Sequence, residues 1–154
     1  MPFIREVAEK DLDTIKEIET ACFPAPWNPE IFDILARWDG TIPLKDGRIL
    51  HMKVLENDRQ LCGYAVWEEI KGGSEGHLMN IAIAEGKRQQ GYGKMLLEHV
   101  FKSLRVNGFS ECWLEVREGN KEAKSLYESM GMSPNERIPK YYDGEDAIRY
   151  RIEL

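Results

Sequence analysis

The sequence predicts an α/β fold: a single domain over residues 1–154, with a mixed, mostly antiparallel sheet flanked by helices. Three observations carry this. Apolar runs of strand length alternate with segments whose apolar residues recur at helical spacing. Turn signals join neighbouring strands towards both ends of the chain. Between them lies a strand–helix–strand–helix succession, which gives the sheet its mixed character.

Each element has a local reason. Phe3–Val7 reads as a first strand. Asp11 is placed to cap a helix whose apolar positions are Leu12, Ile15, Ile18 and Cys22. Phe23-Pro24-Ala25-Pro26-Trp27-Asn28-Pro29 cannot continue it, because each proline lacks an amide donor and fixes φ. A short helix near Glu30 to Arg37 follows. Ile49–Glu56 and Leu61–Ile70 form a hairpin through Asn57-Asp58. Gly76–Ala84 is a third long strand, ending in the polar, glycine-bearing stretch Glu85 to Gly93. The clearest helix then carries Leu96, Leu97, Val100, Phe101 and Leu104 on one stripe, and Asn107-Gly108 stops it. A strand at Glu111–Val116 and a helix at Asn120–Met130, closed by Gly131, come next. Met132 to Leu154 reads as two strands around a Tyr142-Asp143-Gly144 turn.

Composition narrows the function. With 154 residues, 42% hydrophobic and 31% charged, the chain can build a core without metals or disulfides. Its net charge of −6 argues against a nucleic-acid binder, which needs a basic face. Cys22, Cys62 and Cys112 show neither metal-ligand spacing nor a disulfide framework, and read as buried thiols in a reducing compartment. Met1 to Lys10 is too short of apolar length and too charged for a signal peptide, and no run approaches the ~18 apolar residues of a membrane span. The expected location is cytoplasmic, without a membrane partner. His51, His77 and His99 are scattered, suggest no metal site, and fit surface or hairpin positions.

The chemistry-bearing stretch is Arg88-Gln89-Gln90-Gly91-Tyr92-Gly93-Lys94, between a strand and a helix. Its glycines let the backbone bend around a ligand, and successive amides together with the helix N-terminus can converge on a phosphate. A P-loop needs Ser or Thr after its Lys, and Met95 stands there. A dinucleotide fingerprint needs glycine at 96, and that residue is Leu96. A glycine-rich turn before an amphipathic helix is the plainer alternative.

Arg88-x-x-Gly91-x-Gly93 after Leu78-Met79-Asn80-Ile81-Ala82-Ile83 resembles the acetyl-CoA motif of the GNAT superfamily. More narrowly, four stretches resemble RimI-type ribosomal-protein alanine N-acetyltransferases and their archaeal relatives. These are Phe23 to Trp27, Asn80 to His99, Trp113-Leu114-Glu115-Val116-Arg117 through Asn120 to Met132, and Tyr141 to Ala147. They run in order over nearly all the chain from residue 78 onward. The resemblance implies acetyl-CoA as acetyl donor and no metal. Ile81, Ala82 and Ile83 would pair their backbone with the pantetheine arm. Arg88 and Gln89 to Lys94 (Gln89, Gln90, Gly91, Tyr92, Gly93, Lys94) would cradle the pyrophosphate, and Asn120 would contact the coenzyme. One departure is Gln89, where the family commonly has a basic residue; Lys87 or Lys94 is placed to supply that charge.

Acetyl transfer needs a neutral amine, a stabilised oxyanion and a protonated leaving thiolate. An α-amine of pKa near ~8 is roughly a tenth neutral at pH 7, whereas a lysine near ~10.4 is neutral less than about one part in a thousand. A carboxylate base helps either. Strand alternation puts Trp113, Glu115 and Arg117 on one face and Cys112, Leu114 and Val116 on the other. Glu115 is the candidate base, against a Glu115–Arg117 pair or a solvent-facing glutamate. Tyr127 has helical spacing to Ala123, Leu126 and Met130, as a core tyrosine would. The resemblance makes Glu115 the general base and Tyr127 the general acid, with an oxyanion contact from backbone amide near Ile81–Ile83. It also implies that Trp27, Tyr141 and Tyr142 line an acceptor groove for a protein or peptide N-terminus, such as that of a ribosomal protein. Trp27 is otherwise a surface loop pinned by a buried aromatic. Other acceptors, a small amine or a lysine side chain, and a non-catalytic acyl-CoA-binding domain, are the competing readings. Trp38–Arg48 has no counterpart in this resemblance.

Overall fold

A computed structural model describes all residues, Met1–Leu154. The strands are β1 (Phe3–Glu6), β2 (Thr41–Pro43), β3 (Arg48–Asn57), β4 (Gln60–Ile70), β5 (Glu75–Ile83), β6 (Glu111–Arg117), β7 (Ser133–Tyr142) and β8 (Glu145–Glu153). The helices are α1 (Leu12–Cys22), α2 (Glu30–Arg37), α3 (Tyr92–Val106) and α4 (Lys121–Ser129). One eight-stranded sheet runs β1-β3-β4-β5-β6-β8-β7, with β2 on the flank of β3. Every pairing is antiparallel except β5 with β6, which α3 joins as a crossover.

The helices cover both faces. Ile15 and Ile18 of α1 and Phe32 and Leu35 of α2 pack with Met52, Val54, Tyr64 and Val66. The apolar stripe of α3 and Tyr127 of α4 pack on the opposite face with Trp67, Leu78, Cys112, Leu114 and Tyr150. A bulge where β4 meets β5 pairs Val66 with Asn80 and Trp67 with Leu78, leaving Met79 as the extra residue. The bulge reverses which face β5 offers: Leu78 belongs to the α3/α4 core and Ala82 to the α1/α2 core. Ile81 and Ile83 are thereby turned to the α3/α4 side.

Three local expectations need correction. Asp11 does not cap α1. Its carboxylate accepts from the Ala8 amide and from Arg5, closing a 3-10 turn at Glu9–Asp11 ahead of the helix. The hairpin turn is one residue later than read, at Asp58-Arg59, both at positive φ. Trp38–Arg48, which sequence could not place, contributes the short strand β2.

Candidate active site

β5 and β6 are paired only over Glu75–His77 with Glu111–Trp113. Beyond that point the sheet opens. A cavity of about 220 Å³ lies between Leu78–Ile81 of β5 and Leu114–Arg117 of β6, with Tyr127 on its wall. A second, larger cleft of about 560 Å³ runs between the start of α3 and α4. Tyr127, Ile81, Asn120, Ala123, Cys22 and Phe23 line both, so the two spaces meet there.

The larger cleft has the features that suit an anion. Gly91 stands at the N-cap of α3 with φ 83, and Gln89 precedes it at φ 62. No side chain caps the helix, so its first amides remain available to a ligand. A Cβ on Gly93 would come within 3.1 Å of Leu126 Cδ2, because α3 and α4 approach closely at the cleft floor. Arg88 and Lys94 line the rim, while Lys87 donates to Gln60 Oε1 at 2.6 Å. Asn120 Oδ1 accepts from the Ala123 amide at 3.1 Å, the N-cap of α4, and still faces the cleft.

Glu115 lies at the head of the smaller cavity. Its Oε1 meets His77 Nε2 at 3.1 Å and accepts from the Tyr141 hydroxyl at 3.2 Å. Its Oε2 is buried without a hydrogen-bond partner, 3.6 Å from Arg149 Nε. Burial pushes the Glu115 carboxyl up, but the hydrogen bond and charge of His77, the Tyr141 hydroxyl and Arg149 outweigh it. The carboxyl therefore sits below its ordinary value. Burial also pushes the Tyr127 phenol up, well above the usual tyrosine range, with Tyr142 and Cys112 adding to it.

The smaller cavity is also walled by Trp27, Phe23, Tyr142 and Arg117. Trp27 stacks on Phe32 at 5.8 Å, and its backbone N–H donates to Glu19 Oε2 at 2.9 Å. Glu19 is buried and also accepts from Tyr64 and Asn80. Arg117 lies 4.3 Å over the Tyr142 ring. Burial, with Tyr141 and Glu115 nearby, pushes the Tyr142 phenol up to about 12.

Of the residues singled out from sequence, Ile81, Ala82, Ile83, Arg88, Gln89, Gly91, Tyr92, Gly93, Lys94, Asn120 and Tyr127 share the larger cleft. Trp27, Tyr142 and Glu115 share the smaller cavity. Gln90 is the exception: its amide turns back to the Gly86 carbonyl and does not line the cleft. The Tyr92 ring also belongs to the core, its hydroxyl accepting from Asn57. Tyr141 is 50% exposed and reaches the site through its hydroxyl. Arg117 pairs with Glu145, so the Glu115–Arg117 pair does not form. Cys22 is only half-buried and borders both cavities, unlike the buried Cys62 and Cys112. Sequence reasoning missed His77, Glu19 and Arg149. His77 does take a hairpin position, opposite Glu68 in the β4–β5 pair, but it is half-buried there and stacks on Trp113 at 3.8 Å. The signal available for it was its place on the strand immediately before the motif.

A cleft with open helix amides that meets a cavity lined by a buried carboxylate is an arrangement that suits group transfer from a phosphate-bearing donor. Residues 12–132 match the Acetyltransferase (GNAT) family. The [ribosomal protein bS18]-alanine N-acetyltransferase of Escherichia coli K12 is 34% identical over 143 residues, covering 89% of this chain and 95% of that protein. Its counterpart from Haemophilus ducreyi is 31% identical over 147 residues, covering 95% and 92%. The crystal structure of the Escherichia coli ribosomal-protein-S18-alanine N-acetyltransferase superposes with a TM-score of 0.81 at 28% identity, over 100% of this chain and 94% of that one. The chain belongs to the GNAT family, as an acetyl-CoA-dependent N-acetyltransferase of RimI-like type. No helix is long and apolar enough to cross a membrane.

Proposed function

We propose that the protein acetylates the N-terminal α-amine of a protein, with Glu115 as general base and Tyr127 as general acid. The observation that carries this is the Glu115 carboxylate, buried, held below its ordinary pKa, and lining a cavity that meets the donor cleft at Tyr127. The residues present fit acetyl-CoA: open amides at Gly91–Lys94 for its phosphates, and Ile81–Ile83 and Asn120 along the arm. When bound, acetyl-CoA supplies the activated acetyl thioester.

The chain's own groups do the rest. Trp27, Tyr141 and Tyr142 orient the acceptor. Glu115 is ionised at neutral pH, so Oε2 can take the proton that the amine loses. Tyr127 keeps its proton at neutral pH and can give it to the departing thiolate. A backbone amide near Ile81–Ile83 that meets the oxyanion contributes a few kcal/mol, about 3. Relatives named for alanine on ribosomal protein bS18 support an acceptor beginning with alanine, which would place the protein in the cytoplasm.

The test is mass spectrometry of free-N-terminus peptides beginning Ala, Ser or Met, beside N-blocked lysine peptides. Transfer to the α-amine alone is expected. Acetylation of lysine alone, or of no peptide despite coenzyme binding, overturns the α-amine reading.

A further inference from the structure

The face of the sheet that bears Glu115 carries a row of alternating charge, one residue per strand, in the spatial order of the strands. Arg48 on β3 meets Glu68 on β4 at 3.2 Å. Glu68 Oε1 meets His77 Nδ1 on β5 at 3.2 Å, and His77 Nε2 meets Glu115 Oε1 on β6 at 3.1 Å. Glu115 meets Arg149 on β8 at 3.6 Å, and Arg149 meets Glu136 on β7 at 3.2 Å. His77 is the middle member. Both its ring nitrogens face carboxylate oxygens, its ring lies 5° from parallel on Trp113, and Arg149 covers the same indole at 4.6 Å.

We propose that His77 is the positioning residue of the base: it holds Glu115 through Oε1 and leaves Oε2 as the oxygen that takes the acceptor's proton. The inference rests on Glu115 being the base. Three observations support it. His77 leads the vertex at which β5 and β6 part, so its ring is fixed by sheet pairing on both sides, to Glu68 and to Trp113. The indole and Glu68 leave the imidazole little freedom to turn. The two Glu115 oxygens are inequivalent: Oε1 has two hydrogen-bond partners, whereas Oε2 has none and meets only the Arg149 charge at 3.6 Å. His77 also stabilises the ionised carboxylate, by hydrogen bond and by charge when protonated. The other charged or titratable groups facing this pair are Arg48 and Glu68 from β3 and β4, Arg149 from β8, and Glu136, Tyr141 and Tyr142 from β7.

Two substitutions test the inference. His77→Phe keeps the stack on Trp113 and removes both hydrogen bonds; His77→Gln keeps one donor towards Glu115. The measurement is kcat and both KM values from pH 3 to 9, for each variant alone and combined with Glu115→Gln. His77→Phe is expected to lower kcat about tenfold with the acetyl-CoA KM within about twofold. Losing a partner that favours the charged form raises the Glu115 pKa, so the acid limb of kcat moves to higher pH. His77→Gln recovers most of the rate. In the Glu115→Gln background, His77→Phe costs little further, because the group it positions is gone. If Glu115→Gln lowers kcat but His77→Phe leaves the acid limb in place, or its effect adds in full to that of Glu115→Gln, the positioning role is overturned and the base stands. If Glu115→Gln alone keeps full activity, the base reading falls and this inference with it.

Discussion

Replacing Glu19 with alanine separates the scaffold from the chemistry. The Glu19 carboxylate is buried and accepts three hydrogen bonds: from the Tyr64 hydroxyl at 2.6 Å, the Asn80 amide at 2.8 Å and the Trp27 N–H at 2.9 Å. These join α1 to β4, to β5 just past its bulge, and to the loop that carries Trp27. Each donor left without an acceptor in the interior costs about 1–3 kcal/mol, so the ceiling is about 9 kcal/mol. Water entering the vacated space, and relief from burying a charge, offset part of it. The expected loss is about 3–5 kcal/mol, with the urea midpoint falling and the slope unchanged. For a chain of this size that is a drop in Tm of about 6–20 °C. Glu19 borders the smaller cavity, the proposed acceptor site, and not the larger cleft proposed for the donor. At a temperature where the variant is folded, the peptide KM therefore rises while coenzyme affinity stays within about twofold. A stability loss under about 1 kcal/mol, or equal weakening of both substrates, would refute this account.

Further expectations concern the site itself. Glu115→Gln lowers kcat by about 10²–10⁴. Its residual rate climbs roughly tenfold per pH unit below the α-amine pKa of ~8, as the amine deprotonates unaided; a wild-type profile would remove Glu115 from the base role. Tyr127→Phe keeps the fold and slows turnover, read by thermal melting beside single-turnover rates; an unchanged rate leaves a core tyrosine only. Gly93→Val presses on Leu126 at the cleft floor and abolishes coenzyme binding, measured by calorimetry; unaltered affinity counts against the cradle. In acid, the depressed Glu115 pKa means the unfolded carboxyl, at its ordinary value of 4.5, binds its proton first. That contribution to stability is complete above about 4.5 and is lost as pH falls through the lower folded value. Glu115→Gln is expected to flatten this part of the acid-unfolding curve.

What the sequence determined by itself is local or periodic. The apolar stripe of α3 and the alternation of β6 are consequences of helical and strand repeat, and both appear as read. The Gly91-x-Gly93 cradle is equally local, since the glycines and the helix start lie within a few residues. Most of the residues that the motifs assign to the donor line one cleft with Tyr127. Asp11 shows the limit even at short range: the same carboxylate can cap a helix or close the preceding turn, and Arg5, from a neighbouring strand, accompanies the second choice.

The tertiary structure alone decided everything that depends on pairing across strands. His77, Glu68 and Arg149 are 38, 47 and 34 residues from Glu115 in the chain, and only the sheet order brings them to it. The bulge at Met79, which turns Ile81 and Ile83 to the α3/α4 side, leaves no mark in residue type. Glu19 reads in sequence as one more polar position of an amphipathic helix, and its burial follows from where Tyr64, Asn80 and Trp27 converge. A carboxylate's partners are a property of three-dimensional neighbourhood, and the chemistry of this site resides in those partners.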